Sequence, residues 1–475
     1  TLVTLFMLLS FAYYIKNVEK NDASSYIAML ACFTLALLSR ENALILPLLL
    51  LLYHIAFKIE IKRIAFIPIA AMALIYITFR VFIFKFKLPH VVCPATLAER
   101  IPGFFIAMAN YTRLLFLPLG LHMEYGTKIF PWSHPLVPIG ALICVGIIAL
   151  TFYYRKRDGL VFFSLCWFIL ALIPSSNIYP INAYMAEHWL YIPSIGFFII
   201  IARILRMLYV KKSFKIVSIA STAVLIIFLT VLTIQNNRYW QNGITLYERT
   251  LKYAPDRAVL YNNLGILYAD RGDTQEAIEL FKKAVQLDPS YVYAYNNLGK
   301  AYNMIGNKKE AMDYYKKALE LYPDSVESLY NIGNIYLDFD QPEKAIEQYK
   351  QAIKISPYYT KAYYNMGNAY RRIGKPEEAV PQYLNALKYN PDYFEVYNNL
   401  ALTYHEMGRS EEALRILREA VTLKPDFALA YSNLAVVYHN TGQDELAVEN
   451  FLKAKSLGFR NALLEKELEQ YLPKE

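Results

Sequence analysis

Two charged doublets and one row of asparagines are the residues of this chain whose types and spacing suit chemistry. Arg40 stands beside Glu41, and Glu187 stands beside His188. A guanidinium stays charged and grips two oxygens of a phosphate at once. A neighbouring carboxylate can orient such an arginine or help hold a divalent cation, and an imidazole changes charge near neutral pH. Each doublet also has a plainer reading: Arg40 and Glu41 as the polar tip of a helical hairpin, Glu187 and His188 as the head of the helix that begins at Trp189, with the carboxylate at its positive end. The row is Asn263, Asn297, Asn331, Asn365, Asn399 and Asn433, one residue in every 34. Asparagine is roughly 0.5 kcal/mol worse than alanine in a helix. Six repetitions therefore ask either for a shared structural hydrogen bond, each amide pinning the neighbouring copy, or for a functional row of donors and acceptors. No nucleophile motif, glycine-rich phosphate loop or metal-spaced histidine cluster is present.

The row is carried by six copies of a 34-residue unit. Gly265, Gly299, Gly333, Gly367, Ala401 and Ala435 keep that spacing, as do Ala277, Ala311, Ala345, Ala379, Ala413 and Ala447. Tyr261, Leu264, Gly265 and Tyr268 fall at i, i+3, i+4 and i+7, one face of a helix; Ala277, Phe281 and Ala284 mark a second helix, and Pro289 closes the unit. A stack of such helix pairs is a solenoid, which is a binding surface by construction. Trp240 to Pro255, with Tyr247 inside, reads as a lone second helix leading into the array, and 463–472 as a charged capping helix after Phe459 replaces the closing proline.

The doublets belong to a half of another kind. Apolar stretches run at about 1–15, 25–39, 42–57, 62–84, 101–119, 136–154, 159–174, 189–209 and 214–235. A crossing helix needs about 20 mainly apolar residues, with about 17 tolerated. Arg40 and Glu41 separate two of these stretches, and a hairpin keeps both charges at the membrane surface rather than at its costly centre. The net charge of +9 is not a nucleic-acid signature, because in this half the excess sits in clusters at 58–63, 155–157 and 203–215, between apolar stretches. Such clusters mark the cytoplasmic side. Three apolar stretches lie between the first two clusters, so one of them should not cross. The choice falls on 101–119, which contains Pro102, Asn110, Arg113 and Pro118. Arg40 and Glu41, the 85–134 segment, the 174–188 loop and the repeats then all face outward: the endoplasmic-reticulum lumen, or the periplasm or exterior in a prokaryote. Cys32, Cys93, Cys144 and Cys166 form no CxxC and no disulfide framework. The chain opens on Thr1 inside an apolar run without a basic leader, and reads as a piece of a longer protein.

The fold expected is all-α: a polytopic membrane domain over 1–237, a linking half-repeat over 238–257, six repeats over 258–459 and a cap over 460–475. The repeats resemble the tetratricopeptide repeat, in the superhelical form of the O-GlcNAc transferase, where such asparagines hold peptide backbone. Leu37-Leu38-Ser39-Arg40-Glu41-Asn42-Ala43 with Leu46-Pro47-Leu48, and Ala186-Glu187-His188-Trp189-Leu190-Tyr191-Ile192-Pro193, resemble two elements of the transmembrane and tetratricopeptide-repeat O-mannosyltransferases. His188 stands where that family usually has arginine. The resemblance implies a membrane glycosyltransferase taking a mannose-like sugar from a polyprenyl phosphate, with Arg40, Glu41, Glu187 and His188 near the lipid phosphate and a protein acceptor on the repeats. It places the acidic base in an outer loop ahead of Thr1. The competing reading is a membrane-anchored scaffold without catalysis.

Overall fold

The computed structural model describes residues 2–61, 63–83, 96–123, 128–176, 183–459, 462–468 and 471, and every regular element among them is helical. Cys93, the 85–95 part of the 85–134 segment, 177–182 of the 174–188 loop and Leu472 of the cap lie outside the described residues. The chain divides into two units, Thr1–Pro255 and Asp256–Glu475, so the lead helix of the repeats falls in the first.

The first unit contains α1 (Leu2–Lys20), α2 (Ala23–Ser39), α3 (Leu46–Phe57), α4 (Arg63–Thr78), α5 (Leu97–Phe116), α6 (Leu136–Tyr154), α7 (Gly159–Leu172), α8 (Tyr191–Val210), α9 (Lys215–Trp240) and α10 (Gly243–Tyr253). Among the described residues, four helical segments are long and apolar enough to cross a membrane: Leu2–Lys20, Leu136–Tyr154, Glu187–Val210 and Lys212–Trp240. Four others, Ala23–Ser39, Glu41–Phe57, Phe66–Phe82 and Gly159–Leu172, are apolar but shorter. The 101–119 stretch forms α5, which is in neither group.

Small residues let these helices meet backbone to backbone, as lipid-embedded helices do. A Cβ on Gly196 of α8 would come 2.3 Å from the Ser164 carbonyl of α7, and one on Gly159 would come 2.5 Å from the Ala56 carbonyl of α3. Trp167 adds a 2.8 Å bond from its indole N–H to the Ile192 carbonyl, fixing the start of α8 on α7. Buried His54 is fully engaged. Its Nδ1 lies 3.2 Å from the Ile59 carbonyl, which can only accept, so Nε2 accepts from the Tyr14 hydroxyl at 2.6 Å. The end of the bundle that holds Ala56 also holds Asp158, which caps α7 and pairs with Arg203 at 3.0 Å. The three basic clusters flank these residues and so gather at one end.

The second unit repeats one motif. Its pairs are α11 (Ala258–Arg271) with α12 (Thr274–Leu287), α13 (Val292–Met304) with α14 (Lys308–Leu321), α15 (Val326–Asp338) with α16 (Pro342–Ile355), α17 (Thr360–Arg372) with α18 (Pro376–Tyr389), α19 (Phe394–Glu406) with α20 (Ser410–Leu423) and α21 (Ala428–Asn440) with α22 (Asp444–Ser456), followed by α23 (Ala462–Glu467). The glycine ladder has a steric cause. A Cβ on Gly265, Gly299, Gly333 or Gly367 would lie 2.5–2.7 Å from the ring of Phe281, Tyr315, Tyr349 or Tyr383 on the second helix. The turn within each pair needs a left-handed residue, supplied by Gly306 (φ 80°) or Gly374 (φ 71°) and in the third repeat by Asp340 (φ 57°).

Candidate functional site

The end of the first unit opposite the basic clusters gathers both doublets. Arg40 is a single extended residue between α2 and the 3-10 turn Glu41–Ile45, and His188 lies in the 3-10 turn Glu187–Leu190 that precedes α8. A guanidine nitrogen of Arg40 stands 3.5 Å from Nε2 of His188. Arginine has no acceptor, so Nε2 must accept and the imidazole proton resides on Nδ1. Residues 148 apart in sequence thus form one cationic corner.

The two acids of the doublets, Glu41 and Glu187, have partners that sequence reading did not name. Glu41 pairs with Arg80, not Arg40, at 3.2 Å. Arg80 sits in the π-turn Phe79–Ile83 at the end of α4 and also donates to the Tyr76 hydroxyl at 2.7 Å. Among the described residues no group of three acid, histidine or cysteine side chains could hold a metal ion. Glu187 accepts the His122 backbone N–H at 2.6 Å, and next to it the Ala186 backbone N–H donates to the Tyr111 hydroxyl at 3.1 Å. The turn bearing His188 is therefore tied to α5 and to the segment that follows it. Arg80 carried no signal of its own, because a lone arginine at the close of a long apolar stretch resembles any flanking charge that snorkels to the surface.

An apolar cavity of about 550 Å³ lies between α2 and α4, lined by Leu37, Leu38, Met72, Ile75 and Phe79 together with Arg80. Arg80 is the last of the α4 series and Leu38 precedes Arg40 by two residues. The cavity therefore runs up to the level of the cationic corner.

The asparagine row lies half-buried on the first helix of each pair and is largely engaged across repeats. Asn365 donates to the Tyr330 hydroxyl at 3.1 Å and to Asn334 Oδ1 at 2.8 Å. Asn399 repeats this on Tyr364 at 3.0 Å and Asn368 at 2.9 Å. Asn297 donates to Asn262 at 2.8 Å, Asn433 donates to Asn398, and Asn263 accepts from Asn262 at 3.3 Å. Asn331 differs. The residue that would receive it, Asn296, is taken by Ser325 and Ser328, and the Asn331 side chain has no partner among the described residues. The row splits accordingly. Asn331→Ala is expected to leave stability unchanged, while Asn365→Ala and Asn399→Ala should each cost about 1–2 kcal/mol, because two inter-repeat bonds go. Chemical denaturation of the three variants measures this; equal costs at all three positions would refute the distinction.

Profiles described as "TPR repeat" match residues 267–306, 341–374, 367–408 and 404–442. Others described as "Tetratricopeptide repeat" match 292–325, 246–279, 314–347 and 428–457. The second half of the chain is a tetratricopeptide-repeat array. Among curated proteins it is similar to protein O-mannosyl-transferase TMTC3 of Homo sapiens, 32% identical over 114 residues, which is 24% of this chain and 12% of that protein. It is similar as well to protein O-mannosyl-transferase TMTC2 of Mus musculus, 35% identical over 126 residues, 26% of this chain and 15% of that protein. The chain's matches thus cover about an eighth of these relatives' own length. A crystal structure of YrrB, titled a TPR protein with an unusual peptide-binding site, aligns at 26% identity over 39% of this chain and 95% of that one, with a TM-score of 0.33.

Proposed function

We propose that this chain is the lipid-phosphate-binding and acceptor-binding part of a membrane glycosyltransferase, moving a mannose-like sugar from a polyprenyl phosphate to a protein serine or threonine. The observation that carries the reading is the Arg40–His188 corner, with the Glu41–Arg80 pair and the apolar cavity beside it. An isoprenoid chain suits a cavity walled by leucine, isoleucine and phenylalanine, and a phosphate suits a guanidinium at its upper level. The reaction is displacement at the anomeric carbon. A carboxylate takes the hydroxyl proton, the new C–O bond forms, and the bond to phosphate breaks, leaving charge on the lipid phosphate that Arg40 stabilises. Glu41 holds Arg80 in place rather than acting as a base. The repeats bind the acceptor, with Asn331 offering a free amide to its backbone. The relatives' names, protein O-mannosyl-transferases, support the same chemistry.

The site and the repeats are read as non-cytoplasmic. With native cysteines replaced, single cysteines in the Lys156 turn and in the Asp340 turn should label from opposite sides of an intact membrane, and labelling of both from one side would overturn the topology. The activity is tested on the full-length protein with polyprenyl-phosphate mannose and a serine-containing peptide. Transfer of mannose to the peptide is expected; peptide binding without any transfer would leave a scaffold.

A further inference from the structure

A second cavity borders the turn that bears His188, through the neighbouring Glu187. It measures about 340 Å³ and is bordered by Glu187, Tyr191, Asn236, Asn237 and Trp240, with the 118–122 segment along one wall. We propose that this cavity is the subsite for the hexose carried on the lipid phosphate; the proposal rests on reading the Arg40–His188 corner as the phosphate site.

Charge argues first. The cavity's arginine, Arg249, is already committed: it donates to the Leu121 carbonyl at 2.9 Å and to Asn236 Oδ1 at 3.1 Å, and its guanidinium lies 3.8 Å from the centre of the Tyr239 ring. With the Arg249 donors spent on these groups and its charge balanced by Glu187, the space offers a free anion no open cationic grip and suits a neutral, hydroxyl-rich ligand. Hydrogen bonding points the same way. Asn236 has its oxygen on Arg249 and its amide N–H groups to spare. Among the described residues the side chains of Asn237 and Trp240 have no hydrogen-bond partner. Sugar hydroxyls both donate and accept, so a carboxylate with amide and indole donors matches them, while aromatic faces cover the apolar face of a pyranose ring. The volume lies within the range of small-ligand pockets, roughly 300–1,000 Å³.

Position argues last. Glu187 and His188 are consecutive, so their Cα atoms are only about 3.8 Å apart. One turn therefore presents a phosphate-facing residue and a cavity-facing residue side by side, and a hexose joined to phosphate through one oxygen needs that adjacency. Glu187 becomes a hydroxyl-recognising group that also holds the 118–122 segment, not a proton acceptor.

The test titrates the chain in nanodiscs with polyprenyl phosphate and with polyprenyl-phosphate mannose. The wild type should bind the sugar-bearing lipid about tenfold more tightly, the effect of one or two net hydrogen bonds. The double variant Asn237→Ala/Trp240→Ala should lose that preference while binding the bare lipid phosphate as before; both residues are exposed, so the fold is not at stake. A wild type that binds the two lipids equally, or a double variant that keeps the preference, overturns the proposal. So does a double variant that keeps the preference for sugar but loses a serine peptide, which makes the cavity an acceptor site. Arg40→Ala separates the two readings: it should weaken both lipids alike, and if it weakens neither, the phosphate assignment fails while the sugar preference still decides the subsite.

Discussion

Replacing Arg40 with alanine is expected to weaken binding of polyprenyl phosphate by 100-fold or more and to abolish sugar transfer by the full-length protein. Charge-assisted bonds to a partly desolvated phosphate are worth about 3–5 kcal/mol when one partner is truncated, and each 1.4 kcal/mol is tenfold. The fold should not notice. Arg40 is exposed, and among the described residues its side chain makes one hydrogen bond, 3.5 Å to His188. Arg40→Lys keeps the charge but loses the two-pronged grip, so an intermediate loss of about tenfold is expected. Glu41→Ala acts differently, by freeing Arg80 from its 3.2 Å pair. Titration of the variants in nanodiscs checks the series; an alanine variant within twofold of the wild type removes Arg40 from the site.

Tyr383→Ala is expected to be, with the equivalent Tyr349→Ala, among the most destabilising single changes in the array, at about 3–5 kcal/mol, the usual cost of emptying a buried aromatic site. Its ring fills the notch left by Gly367, and its hydroxyl donates to Asn368 Oδ1 at 2.7 Å. That same oxygen accepts from Asn399 of the next repeat, so the ring holds a helix pair together and steadies the joint beyond it. Tyr383→Phe keeps the ring and should cost only about 1 kcal/mol. Repeat arrays interact between neighbours only. Hydrogen exchange should therefore speed up in α17–α20 while α11–α14 stays protected. Uniform exchange across all six pairs, or a cost below about 1 kcal/mol in denaturation, would refute this account.

The parts of this molecule set by local periodicity were legible beforehand. All six helix pairs and the apolar helices fall where spacing and composition place them, because a 3.6-residue face and a closing proline are short-range signals. Among the described residues, the four segments long enough to span each overlap one of the nine apolar stretches, while the other apolar helices fall short of spanning length. What stayed hidden depends on residues far apart in sequence. The Asn365 amide ends on Tyr330 and Asn334, 35 and 31 positions earlier, and no pattern within one repeat distinguishes that from a bond to peptide. Likewise, Glu41 can be matched to Arg80 only once α4 is packed beside α2. Asn236 and Asn237 read as a polar end to a long apolar helix until α10 places Arg249 beside them.

The two walls of the cationic corner are held very differently. The His188 side is clamped by the Trp167 indole on Ile192, by Gly196 against the Ser164 carbonyl, by Tyr111 on Ala186 and by Glu187 on the His122 backbone. The Arg40 side rides on one exposed, extended residue between a helix and a short turn. On the proposed reading, opening this corner to a ligand takes rotation about a few bonds of one arginine rather than separation of helices. That rotation belongs to side-chain and loop motion, nanoseconds to microseconds, so the residence of a bound phosphate is set by its affinity and not by the opening of the corner.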